Sequence, residues 1–192
     1  MSDGYQLPLR LAALGFLTVV VQIAAVSQVT VFGVTADLSP LVVASVGLLA
    51  GSLPGAVFGF SVGLFVDLAL VQTLGVTSLL FITIGYAAGR LRELRDPAHG
   101  LVPLAVGAAA TACSTIGFAL MQFLLGVQAP VSWLLLRQVV VTILLGTLLA
   151  LPIYALVRRV VQGSLPEDPR RRRRRAYTTG GLSPLQRPSA QR

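Results

Sequence analysis

Two carboxylates and one guanidinium stand isolated in long apolar sequence. Between Leu11 and Gly89 the only ionisable side chains besides Tyr86 are Asp37 and Asp67, and from Gly100 to Val157 the only fixed charge is Arg137. A charge in hydrocarbon is costly, so it turns inward to a partner or a watery cavity, or snorkels to the interface. Two facing aspartates would be the minimum for an intramembrane hydrolase, but no supporting motif accompanies Asp37 and Asp67. A pair between Arg137 and one of the aspartates is the better reading, because Asp67 and Arg137 fall about 7 and 9 Å below their helix ends at about 1.5 Å per residue. Other chemistry is scarce. His99 is the single histidine and lies in a hydrophilic loop, and Cys113 is the single cysteine, which excludes a disulfide within the chain and a cysteine metal cluster. The sequence has no HExxH and no phosphate-binding glycine fingerprint. No catalytic, cofactor-binding or metal-binding residues are expected, and the chain does not read as an enzyme.

Small residues must position these charges. Gly51, Gly55, Gly59 and Gly63 recur every four residues and lead to Asp67 on the same stripe. In an apolar helix this spacing lines one face and lets another backbone approach closely. The ladder therefore reads as a packing surface for other helices at lipid depth, where Ala should be tolerated better than Leu or Ile. Gly85 and Gly89 repeat the pattern beside Arg90.

The chain of 192 residues is 55% hydrophobic and only 11% charged, with a mean hydropathy of +0.81. Ordinary soluble domains carry about 25% charged residues, so the composition places the chain in a membrane. The apolar runs give six spans: Leu11 to about Ser27, Leu38 to Leu53, Pro54 to Val71, Val76 to Arg90, Leu101 to Leu125 and Val131 to Val157. Ala25-Val26-Ser27 loosely resembles a signal-peptide cleavage site, but a basic flank, a long apolar run and further spans favour an uncleaved first helix. Ser52-Leu53-Pro54-Gly55 is expected to break the second run into a hairpin. With six spans, Arg10, the loop holding Arg90, Arg92, Arg95 and His99, and the Arg158/Arg159 tail share one face, which the positive-inside rule makes cytoplasmic. Both termini then lie inside.

Residues 1–161 form this membrane domain, and residues 162–192 are expected to be a disordered tail. Ten arginines against two acids from Arg158 onward give a surplus equal to the chain's whole net charge of +8. Arg170, Arg171, Arg172, Arg173, Arg174 and Arg175 would lie against anionic lipid head groups. No aromatic platform accompanies them, so nucleic-acid binding is not expected.

The order of features from Asp37 to Arg92 resembles the rod shape-determining protein MreD family. The carriers are Asp37 opening a span, Gly51-x-x-Pro54-Gly55, Gly59-Phe60-x-x-Gly63-x-x-x-Asp67-Leu68, Leu74-Gly75 and Gly85-Tyr86-x-x-Gly89. The resemblance implies an all-α polytopic protein of the bacterial inner membrane. Its fold would be similar to the six-helix substrate-binding components of energy-coupling vitamin transporters. It also implies a non-catalytic scaffold of the cell-wall elongation complex, associated with an MreC-like protein and through it with MreB, RodA and a class B transpeptidase. A small-solute-binding component of a transporter is the alternative. Leu70 and Val71 depart from the family, which often places a Ser-Gly or Pro-rich turn there.

Overall fold

A computed structural model describes residues 6–28, 30–31, 34–35, 37–71, 73–94, 101–124, 126 and 133–161. Six helices dominate it: α1 Gln6–Gln28, α2 Ser39–Ala50, α3 Ser52–Ala69, α4 Val76–Leu94, α5 Leu101–Leu124 and α6 Trp133–Val161. Between α1 and α2, β1 (Thr30–Val31) and β2 (Val34–Thr35) form a two-residue antiparallel ladder in which Thr30 faces Thr35. The tail, including Arg170 to Arg175, and His99 lie outside the described residues.

The hairpin forms, but its hinge is one residue. Gly51 has φ +106° and ψ −179°, a backbone that L side chains rarely adopt. α3 starts at Ser52, so Pro54 falls in its first turn, where a missing N–H costs no hydrogen bond. The break expected at Ser52 to Gly55 is therefore set by Gly51, and the proline merely follows it. Gly47 then lies against Gly55, and Val43 against Gly59, on either side of the hinge.

Side-chain and backbone neighbours fix the directions of the other helices. Gly55 meets Gly85 and Gly63 meets Ser78, so α4 runs antiparallel to α3 and parallel to α2. Gly107 meets Ala150 and Gly146 meets Thr111, so α6 runs antiparallel to α5. Arg10 Nη1 donates to Val160 O at 3.5 Å, bringing the start of α1 to the end of α6. The helices thus alternate in direction, and Arg10, Arg90, Arg92, Arg158 and Arg159 gather at one end of the bundle. Asp37, Asp67 and Arg137 belong to the other.

α2 occupies the centre. Every residue from Ser39 to Leu49 is buried, and the helix packs against α1, α3, α4, α5 and α6. A helix apolar all round belongs in such a place. Among the described residues, four helices are long and apolar enough to cross a membrane, through Leu7–Ala24, Ser52–Ala69, Val102–Met121 and Arg137–Val161. The second of the six expected spans, already short in the sequence at 16 residues, is shorter still as a helix. α2 has 12 residues, about 18 Å at 1.5 Å each, and α4 ends in Arg90, Arg92 and Glu93. α2 is sheathed by neighbours, so it need not match the hydrocarbon thickness by itself, whereas α4 keeps an exposed face with Leu79 and Tyr86.

The basic end is clamped around the hinge. Arg92 Nη1 donates to Leu49 O in the last turn of α2, a cation at a helix C-terminus. Ser52 Oγ donates to Glu93 Oε1 at 2.7 Å, while Arg90 Nη1 meets Glu93 Oε2 at 3.2 Å. The Ser52 hydroxyl, aided by Arg90, holds the Glu93 carboxyl below its ordinary range.

Candidate functional site

The glycines form a seam inside the chain, between α3 and its neighbours α2 and α4. A Cβ on Gly63 would stand 2.5 Å from Ser78 Cα, and one on Gly55 would stand 2.6 Å from Gly85 O and 2.7 Å from Gly47 Cα. A Cβ on Gly59 would run into Phe81 O, one on Gly85 into Gly55 O, and one on Gly89 into Ser52. Each obstacle is backbone. The ladder thus packs α3 against α2 and α4 of this chain, where the spacing alone left open whose helices would meet it. A single methyl already collides here, so alanine should be destabilising too, and Leu or Ile more so.

Gly51 leaves the ladder: a Cβ there meets nothing, and its need is conformational. Gly47 joins instead, with a Cβ 2.5 Å from Gly85 O. Sequence reasoning missed Gly47, although it lies four residues before Gly51 and extends the same spacing.

Asp67 closes the seam. Its side chain is fully buried, and Oδ2 accepts the Gly75 N–H at 2.8 Å, just before α4 begins. The unsatisfied N–H groups and positive dipole end of a helix stabilise such a carboxylate. Oδ1 has no hydrogen-bond partner among the described residues, nor do Ser39 Oγ and Ser78 Oγ. The turn that delivers Gly75 is strained. Val71 has φ +52° and is 91% exposed, a left-handed conformation that a β-branched residue adopts at a cost.

The expected pair with Arg137 does not form. Arg137 is exposed, and no ion pair links it to Asp67 or Asp37. α3 packs against α1, α2 and α4, whereas α6 packs against α1, α2 and α5. Asp67 finds its compensation in the Gly75 N–H at the start of α4, and the long Arg137 stem can carry its charge to the interface.

Asp37 lies two residues before α2, outside the helices, and does not meet Asp67. Its carboxyl accepts the Ser39 N–H, while burial pushes its pKa up to about 6. Asp37 borders a cavity of about 240 Å³ with residues from five of the helices, among them Gln22, Thr77, Thr115, Gln138 and Thr142. These residues are scattered over the sequence, and no spacing announces their convergence. Among the described residues no group of three or more His, Cys, Asp or Glu is arranged to hold a metal ion.

No curated protein and no solved structure matches the chain. A sequence model of rod shape-determining protein MreD matches residues 6–160, which covers the whole helical bundle save its last residue. With its glycine seam, its buried aspartate and this match, the chain belongs to the MreD family.

Proposed function

We propose that the protein is a non-catalytic scaffold of the bacterial cell-wall elongation machinery, acting in peptidoglycan synthesis. Membership of the family gives a role in cell-shape determination, and the scaffold is the finer reading. The observation that carries it is the seam. Three central helices are locked backbone to backbone, while large apolar side chains such as Phe16, Val57, Phe65, Leu144 and Leu148 remain on the exterior. A rigid interior with an apolar exterior suits a protein whose work is to hold other membrane proteins.

The proposed partners are an MreC-like protein and, through it, MreB, RodA and a class B transpeptidase. The reading takes the chain to cross the inner membrane six times with both termini and the basic end cytoplasmic, which alternating helix directions and the positive-inside rule support. The glycines of the seam and Asp67 would act by shaping the scaffold, and Arg170 to Arg175 by lying on anionic lipid. A likeness to the substrate-binding components of vitamin transporters belongs to the same proposal. The test is copurification of the tagged, detergent-solubilised protein with cell-wall synthesis proteins. Recovery of an MreC-like protein is expected, and its consistent loss under conditions that keep the bundle folded would reject the reading.

A further inference from the structure

The cavity beside Asp37 has a definite chemical bias. Thr115 Oγ1 donates to Thr111 O at 2.8 Å, and Thr142 Oγ1 donates to Gln138 O at 2.9 Å. Both hydroxyls have spent their protons on the helix backbone, so they offer only lone pairs to anything in the cavity. Gln22 Oε1 accepts Leu38 N–H at 2.9 Å and keeps one lone pair, while the Gln22 and Gln138 amide groups and the Thr77 and Ser114 hydroxyls can also donate, so the charge bias of the cavity comes from Asp37. Asp37 supplies the one ionisable group among the lining residues, and it is an acceptor. Phe81 and Phe118 complete part of the wall. One carboxylate, hydroxyl lone pairs and aromatic rings together suit a small cation that also donates hydrogen bonds. An anion would meet the carboxylate, and a purely apolar guest would strand the polar groups. A volume of about 240 Å³ lies a little below the range of drug-sized sites, about 300–1,000 Å³, so the guest is small.

We propose that this cavity binds a primary ammonium group, carried by an ethanolamine lipid headgroup or by a free small amine. The site draws on α1, α3, α4, α5 and α6 and on the segment before α2, so an occupant would tie the Asp37 end of the bundle together. The proposal stands apart from the scaffold reading and survives if no partner is found.

The probe is ethanolamine, with choline as the control that cannot donate N–H hydrogen bonds. The purified full chain in phosphatidylcholine nanodiscs is unfolded thermally across a titration of each. A saturable rise in midpoint with ethanolamine is expected, with a weaker response to choline. Asp37→Asn should weaken apparent affinity about tenfold or more, the usual effect of losing a hydrogen bond to a charged group. Thr142→Val keeps the side-chain volume and should also weaken it, which guards against a folding defect in the first variant. Affinity should fall as pH drops through about 6, where Asp37 takes up a proton in place of the ligand; no other lining side chain titrates there, and Arg137 precedes Gln138 on the exposed side of α6. Discs containing phosphatidylethanolamine separate the sources. A lipid ligand raises the midpoint and blunts the ethanolamine titration, whereas a free amine binds equally in both discs. Absence of any saturable response to ethanolamine together with identical midpoints in the two discs would overturn the proposal. So would a response unchanged in both Asp37→Asn and Thr142→Val.

Discussion

Replacing Gly59 by alanine sets two effects of opposite sign against each other. Alanine is better than glycine inside a helix by about 1 kcal/mol, which favours the variant. Against it, the new methyl would run into the carbonyl of Phe81, and a main-chain atom cannot rotate aside. α3 and α4 must separate, and overpacking of this kind costs about 1–3 kcal/mol or more. The collision is expected to win, because the obstacle is backbone and puts the cost in the upper part of its range, with a net loss of up to about 2 kcal/mol from these two terms. Gly117→Ala is the matched control. Its methyl would meet the Leu80 Cδ2 methyl, the free end of a flexible side chain, so the propensity gain should leave this variant at or slightly above the parent. Thermal unfolding of the purified proteins in one detergent, read beside their abundance in the membrane, measures both. Gly59→Ala unfolding at or above the parent's midpoint would refute the seam.

Asp67→Asn and Arg137→Gln should be additive, within about 0.3–0.5 kcal/mol of the sum of the singles, because the two side chains are not paired; rescue in the double variant would restore the ion pair. Val71→Gly should raise the unfolding midpoint, since relief of a left-handed β-branched residue at about 1–2 kcal/mol outweighs the flexibility cost of glycine at about 0.5–1 kcal/mol; a lowered midpoint would mean that Val71 makes a contact worth more than its strain. Cysteines placed singly at Ser2, His99 and Ala190, in a Cys113→Ala background, should resist an impermeant thiol reagent in intact cells. Labelling of any one of them from outside would break the proposed topology.

Much of the architecture was legible because membrane segments advertise themselves by composition, and small-residue spacing advertises close packing. The turn near Pro54, the ladder and the isolation of Asp67 all follow from local pattern. What the pattern could not tell was which surface meets the ladder. A glycine face looks the same whether its partner is another protein or α4 of the same chain, and only the return at Gly51 decides it. The short α2 illustrates the same limit, since a mostly apolar run of 12 residues gives no sign that five other helices will sheath it. Depth arithmetic placed Asp67 and Arg137 at one level but is blind to azimuth, so it could not foresee that α3 and α6 face different neighbours. The Asp37 cavity was hidden for a related reason: its polar groups come singly from separate helices.

The scaffold reading rests on the bundle's exterior being where other proteins bind. A photoactivatable residue placed in turn at Phe16, Val57, Phe65, Leu79, Leu144 and Leu148, all exposed, tests that surface in living cells. Crosslinks to an MreC-like protein or another cell-wall synthesis protein from one cluster of these positions are predicted, with none from the buried Val62. Variants that are folded and support normal growth, yet crosslink to no protein from any of the exposed positions, would contradict the account.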